Sequence, residues 1–472
     1  MIWGILILAF LLRLVTLDQS LWLDEAINVL AAKNLNWFEY VTKYPIGDFH
    51  PPGYFALIWP WSRIFGFSEI AVRMPSLLLG VGTVYITYLL GKKLFDKKVA
   101  SLAALFLTVG PLHVFYSQEA RMYSLSAFSV TLSSYFLLRL TEGKKWPTLC
   151  YAFGVALVFY SDYVAYLILP AHLLYVLLLR QKIWKKLILS WLLAFIAFLP
   201  WLAVLPQQFL VGREASLALP GWKKVAGGAD LQSLGLVWVK TLIGRISFEN
   251  KIIYGGIVAG VSILYGLAGL GIIRKIKNLK KEYILLVLWA AVPLLLAFLI
   301  SFFIPVLSYF RMVFILPAFY LLLAFGFLQL PKHIFRTGAA LAIFLSLTFL
   351  GIYYTTPKFQ REDWRGAVVF VESKIKPSSQ VLFESNTAFS PYLFYTKSTE
   401  NISPGLARIP AQSIEDVKLP KKEVKEVFLF EYLADITDPG RFLEKELEND
   451  GFEKSQVYDF TGVGFVTLYS RL

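Results

Sequence analysis

Apolar runs long enough to cross a lipid bilayer constrain this chain more than any other feature. A membrane-spanning helix needs about 18 or more largely apolar residues to traverse a hydrocarbon core of about 30 Å. Such segments lie at 2–17, 71–91, 99–117, 123–140, 147–161, 164–180, 187–205, 252–273, 283–304, 312–330 and 337–354. From Pro147 to Phe209, charge is nearly confined to Asp162 and the cluster Arg180 to Lys186. The 472 residues are 57% hydrophobic and 17% charged, against about 45–50% and about 25% in soluble domains. The fold class is a polytopic α-helical membrane protein with about 11 transmembrane helices. Segment 2–17 lacks a basic leading region and a small-residue cleavage site, so it reads as a first span rather than a signal peptide. The stretch 52–67, interrupted by Pro60 and Arg63, reads as an interfacial or re-entrant helix.

Charge between the segments orients them. Basic residues crowd alternate links: Lys92 to Lys98, Arg139 with Lys144 and Lys145, Arg180 to Lys186, Arg274 to Lys281, and Lys332 with Arg336. By the positive-inside rule these links face the cytoplasm. The opposite links, 18–70, about 117–123, 161–164, 206–251 and 305–311, are then extracytoplasmic, as is everything after Tyr354. The protein is expected in the plasma membrane. The net charge of +14 is thereby explained as orientation signal, and nucleic acid is not an expected partner. The one cysteine, Cys150, sits in an apolar run and excludes a disulfide framework.

Two domains follow. Residues 1–354 form the transmembrane domain, with 18–70 as first outer loop and 206–251 as a long outer loop. Residues 355–472 have the composition of a small soluble α/β domain. Within it, 363–376 reads as an amphipathic helix, 380–384 and 426–430 as strands, 440–449 as a helix and 464–469 as a last strand.

The polar residues that stand out all fall on outer links. Asp24 and Glu25 are adjacent carboxylates, suited to a general base or a divalent cation; equally, they are acids placed to start a short interfacial helix. In Asp48-Phe49-His50-Pro51-Pro52-Gly53-Tyr54 the prolines hold His50 at a rigid helix entry. There it either ligates a metal or meets a substrate, or is a plain interfacial residue. The tight link Tyr116 to Tyr123 carries Glu119 and Arg121, and Arg63, Arg73 and Arg311 lie at other outer helix ends. Arginines so placed either snorkel toward headgroups or converge on a phosphate. Ser161-Asp162-Tyr163 adds an outer carboxylate. In loop 206–251, Arg213, Lys223, Lys224 and Arg245 interleave with Trp222 and Trp238, as a surface anchor or as a cover over a lipid-linked substrate. Gly256 and Gly260 have the spacing of a helix-packing pair. His113 and His172, inside apolar helices, read as satisfied core residues.

Asp24-Glu25, His50-Pro51-Pro52, Arg73-Met74-Pro75-Ser76 and Gln118-Glu119-Ala120-Arg121-Met122-Tyr123 occur in an order that resembles the GT-C glycosyltransferases. The branch is that of protein O-mannosyltransferases and lipid A aminoarabinose transferases. Tyr309-Phe310-Arg311 before a helix with Pro317, and Arg361-Glu362-Asp363-Trp364-Arg365, also resemble that family. The resemblance is densest over 18–140. It implies a hexosyl- or pentosyltransferase that moves a sugar, with inversion, from a polyprenyl-phosphate carrier to a hydroxyl of a lipid, glycan or protein acceptor. It implies Asp24 as base or acceptor-orienting carboxylate, supported by Glu25. His50, Tyr54, Arg73, Arg121, Tyr123, Asp162 and Arg311 would line the substrate site, with Arg121 and Arg311 on the leaving phosphate. Glu25 and His50 are the residues it offers to a divalent metal ion, the one cofactor implied. The rival reading is a transporter or flippase for a lipid-linked or anionic substrate. Transporters carry ionisable groups or broken helices near the membrane midplane, where this chain is almost free of carboxylates.

Overall fold

The computed structural model describes residues 1–140, 146–219, 221, 227–275 and 283–471. Lys144, Lys145, Lys277, Lys280 and Lys281 of the basic links, and Trp222, Lys223 and Lys224 of the long outer loop, lie outside the described residues. The chain divides into two compact units. The first comprises Met1–Leu17, Asn36–Phe209 and Ala226–Thr355, and the second Asp18–Leu35, Leu210–Val225 and Thr356–Leu472.

The first unit is helical, and each of the predicted apolar segments falls on helix. Among the described residues, five helices are long and apolar enough to cross a membrane, or six if a bent pair is one span. The shorter apolar helices include Ile2–Leu14, Trp146–Ser161, Val164–Leu179 and Val313–Leu328. The stretch read as interfacial is the helix Gly53–Phe65, with Pro60 inside it. The long outer loop is itself partly helical, at Leu205–Ala218 and Leu231–Ile243.

The predicted span 99–117 is broken. Helices Lys97–Val109 and Pro111–Ser117 meet at Gly110 with a bend of 63°. Pro111 has no N–H for the carbonyl of Leu107, four residues back. Arg13, fully buried, fills the gap. Its Nη2 donates to Leu107 O at 3.4 Å and its Nη1 to Thr108 O at 3.3 Å. The same guanidinium meets His113 Nδ1 at 2.6 Å and Ala9 O at 2.9 Å. Arg13 is thus the polar plug of a broken helix.

His172 is satisfied as expected, by Ser134 Oγ and Tyr151 OH, both at 3.0 Å. The glycine expectation is corrected. Gly256 and Gly260 have open space where a side chain would go, because the close approach lies further along the same helix. A Cβ at Gly271 would stand 2.0 Å from Gly326 O, so helices Lys251–Lys275 and Leu316–Leu328 touch there backbone to backbone.

The second unit is built on a five-stranded sheet of β1 (Ser379–Phe383), β2 (Ile402–Pro404), β3 (Glu426–Phe430), β4 (Phe452–Phe460) and β5 (Gly464–Arg471). Their order is β2-β1-β3-β5-β4. β1 is parallel to β2 and β3, while β5 is antiparallel to β3 and β4. The predicted helices appear at Trp364–Lys374 and Phe442–Asn449. Trp364 is fully buried and stacks on Phe430, with ring centroids 5.8 Å apart.

The main segment of this unit begins at Thr356, within one residue of the expected boundary, and the unit also includes residues 18–35 and 210–225 of the outer loops. Hydrogen bonds explain the recruitment of 18–35. Arg361 N donates to Gln19 Oε1 at 2.9 Å, Arg365 N to Ser20 Oγ at 3.0 Å, and Leu21 N to Tyr395 OH at 2.8 Å. Leu23 packs against the Trp364 core.

Candidate functional site

In the second unit, Asp24 and Glu25 occupy the first turn of the helix Leu23–Asn34. Trp22 holds the cap position without a side-chain capping bond, so acids there meet the helix N-terminus favourably. The reading of this pair as acids that start a short helix therefore has a structural basis. Asp24 is half-buried and Glu25 fully buried.

In the first unit, Asp48 is a hub. Arg121 donates to it from Nη1 at 2.6 Å and from Nη2 at 3.1 Å, a bidentate pair with little solvent access. His50 Nδ1 lies 2.7 Å from Asp48 Oδ1, and Tyr44 OH donates to Oδ2 at 3.2 Å. Burial alone would raise the Asp48 carboxyl. The charge of Arg121 and the hydrogen bond from His50 overcome it and hold the group well below the usual carboxylate range. Gln208 ties the backbone of this loop from the far side, donating to Pro45 O at 2.7 Å and His50 O at 3.2 Å. Its own oxygen accepts from Tyr163 OH, which in turn accepts from Trp201 Nε1 at 2.9 Å. Asp48 stood inside the His50 stretch of the sequence without a role of its own, and its partner explains why. Arg121 is 73 residues away in the chain.

Several expected substrate residues turn inward. Arg73 is buried, with Nη1 donating to Leu17 O at 2.9 Å. Tyr54 is buried against Ser76 Oγ at 2.9 Å. Asp162 Oδ1 accepts from Val164 N at 2.9 Å, at the start of a 3-10 turn.

A second cluster in the same unit gathers aromatic rings between two arginines. Arg245 lies over Phe115 at 4.7 Å. From Phe115 the rings continue to Tyr116 at 5.2 Å, Tyr123 at 5.0 Å and Phe310 at 5.7 Å. Arg311 covers Phe310 at 5.6 Å and donates from Nη1 to Pro305 O at 2.9 Å. Arg245 is solvent-accessible although crowded by other groups. Burial opposes its charge, whereas Tyr116, Tyr309, Glu119 and Tyr353 favour it, and the balance raises its pKa. An accessible, enclosed guanidinium beside tyrosine hydroxyls is suited to a phosphate.

Gly244 makes this placement possible. It adopts φ +72°, and a Cβ there would stand 2.8 Å from Pro111 Cβ. In sequence Arg245 is one of several scattered loop cations, and its local signal is a Gly-Arg pair directly after an apolar helix.

Among the described residues, no group of three or more His, Cys, Asp or Glu side chains is placed to hold a metal ion. Glu25 and His50 belong to different units, and His50 Nδ1 is engaged with Asp48. No chemical step is derived through a metal.

Residues 49–204 match the family model of the dolichyl-phosphate-mannose-protein mannosyltransferases. Two proteins of Bacillus subtilis (strain 168), named as candidate mannosyltransferases, are similar in sequence. YycA is 28% identical over 190 residues, covering 37% of this chain and 27% of its own. YkcB is 33% identical over 129 residues, covering 27% and 18%. The chain thus spans about a quarter or less of the length of these curated relatives.

Two solved structures share the fold. ArnT from Cupriavidus metallidurans, bound to undecaprenyl phosphate, superposes with a TM-score of 0.61 at 13% identity, over 99% of this chain and 97% of that one. The oligosaccharyltransferase AglB of Archaeoglobus fulgidus, in complex with an inhibitory peptide and a dolichol-phosphate, gives 0.55 at 12% identity, over 99% and 74%. At such identities the likeness is one of fold.

Proposed function

We propose that this chain, which has the GT-C glycosyltransferase fold, transfers a sugar from a polyprenyl-phosphate carrier to an acceptor hydroxyl on the extracytoplasmic face of the membrane. The observation that carries the reading is Arg245, accessible yet enclosed beside Tyr116 and Tyr309. That is a site for a phosphate arriving within a lipid-facing fold. The family match over 49–204 and the undecaprenyl phosphate bound by a protein of the same fold support it.

The roles divide by chemistry. The acceptor oxygen attacks the anomeric carbon while its proton passes to the carboxylate of Asp24. The bond from that carbon to the phosphate oxygen breaks, and its electron pair leaves with the polyprenyl phosphate. A single displacement of this kind inverts the anomeric centre. Arg245, with Arg311 beyond the aromatic rings, stabilises the charge growing on the phosphate. Arg121, expected from sequence to hold that phosphate, is instead committed to Asp48 and acts as the brace of the His50 loop. The outer-face assignment rests on the charge alternation of the links.

The test is turnover of the purified full chain in liposomes against a panel of polyprenyl-phosphate hexoses and pentoses. Release of polyprenyl phosphate with sugar transfer, abolished in Asp24→Asn, is the expected result. Undiminished transfer by Asp24→Asn would remove the base. Carrier movement across the bilayer with no transfer would favour transport instead.

A further inference from the structure

We infer that Glu362 is a positioning residue for Asp24, closing the N-terminus of the helix that carries it and setting the field in which it works. The inference rests on the reading of Asp24 as base.

The geometry begins with an unfilled cap. The helix Leu23–Asn34 receives no side-chain capping bond from its own cap residue, yet first-turn N–H groups need acceptors. The N–H of Leu23 finds one in the Glu362 carboxylate. That carboxylate is itself fixed. Trp364 Nε1 donates to Oε2 at 2.7 Å, and Tyr432 OH to Oε1 at 2.9 Å. Trp364 is in turn anchored in the core, stacked on Phe430 and edge-on to Tyr432. The backbone leaves room for the arrangement, since a Cβ at Gly462 would lie 2.9 Å from Glu362 Cα. The chain ahead of the helix is stitched to the same stretch, with the Arg365 guanidinium on Asp18 O. A capping acid supplied from over three hundred residues away thus ties the Asp24 turn to the sheet domain.

Charge adds a second consequence. The groups bearing on Glu362 are the Asp24 carboxylate, the Tyr432 hydroxyl, the Trp364 indole and the Leu23 N–H. Burial and the neighbouring Asp24 push the Glu362 carboxyl up, against the three hydrogen bonds, to about 7. Above that pH Glu362 is ionised and strengthens Asp24 as a base, because repulsion between the two is relieved when Asp24 takes the acceptor proton. Below it Glu362 is neutral and the help is lost. Transfer therefore rises with pH through about 7, an inflection that belongs to the coupled pair.

The experiment measures kcat and donor KM against pH for the full chain in liposomes, with a polyprenyl-phosphate sugar that the wild type uses. Glu362→Gln keeps an acceptor oxygen but removes the charge. It is expected to lower kcat about tenfold near pH 8 with donor KM unchanged, and to erase the inflection. Glu362→Asp restores the inflection in part. Tyr432→Phe, which deletes one hydrogen bond to the ionised form, moves the inflection up by about one pH unit. It keeps the test decisive should Glu362→Gln not fold. Wild-type profiles in Glu362→Gln, or an unmoved inflection in Tyr432→Phe, overturn the inference while an inactive Asp24→Asn leaves the parent reading standing. Activity in Asp24→Asn overturns both.

Discussion

Arg121 closes on Asp48 with both terminal nitrogens, at 2.6 and 3.1 Å, and little of either side chain reaches solvent. Removing one member of such a pair strands the other charge. Arg121→Ala should therefore destabilise the protein by ~3–5 kcal/mol, whereas replacing both partners with apolar residues should cost less. Thermal unfolding of detergent-purified variants measures the difference. Arg121→Lys keeps the charge but not the fork, and should fall between wild type and Arg121→Ala.

The same pair sets a pH response. The folded carboxyl of Asp48 is held below its unfolded value, so its contribution is present in full above about pH 4. It is lost as pH falls from there toward the folded value. Melting temperature should thus show no Asp48 contribution to pH dependence near neutrality. Asp48→Asn should flatten part of the loss seen in acid.

Arg245 and Arg311 bracket one set of rings but are not equivalent. Arg311 spends a terminal nitrogen on Pro305 O and is half-buried, while Arg245 is the more exposed of the two. Arg245→Ala should lower kcat/KM for the lipid-phosphate donor by about 10²–10³-fold, with Arg311→Ala milder. Steady-state kinetics with donor varied decides it. Equal losses would put the phosphate nearer Arg311 than the accessibility of Arg245 implies.

Gly244 offers an independent route to the same site. With φ +72° and only 2.8 Å to Pro111 Cβ, Gly244→Ala meets both backbone strain and a clash, of about 1–3 kcal/mol together. The loop must shift, and Arg245 with it. The variant should resemble Arg245→Ala in donor kinetics while remaining folded by circular dichroism.

The helices were legible because burial in lipid demands long apolar runs, which no other arrangement explains. The break at Gly110-Pro111 was not, since both residues sit comfortably inside such a run. In the sheet domain, β1 and β3 are buried strands and show as apolar stretches. β4 is largely exposed, carries Glu453 and Lys454, and has no apolar period to reveal it. The Asp24, His50 and Arg121 motifs stood out as local polar patterns. Their partners did not, because Asp48–Arg121 and Leu23–Glu362 are long-range contacts created by folding. Arg245 escaped for a related reason: in sequence it is one cation of a loop, and only its enclosure singles it out.

Arg13 poses the last test, of the membrane unit itself. It is an arginine with no solvent exposure, and its hydrogen bonds run to carbonyls that a broken helix cannot satisfy internally. Arg13→Met keeps the volume and apolar character that a spanning helix prefers, so hydropathy alone predicts a gain. The carbonyls of Leu107 and Thr108 would instead lose a donor in a setting without water, at roughly 1–3 kcal/mol for each group left unpaired. The variant should insert, but with a melting temperature several degrees lower. Arg13→Lys, whose single ammonium cannot reach both carbonyls and His113 together, should recover only part of the loss. A more stable Arg13→Met protein would mean that the bend at Gly110 holds without its plug.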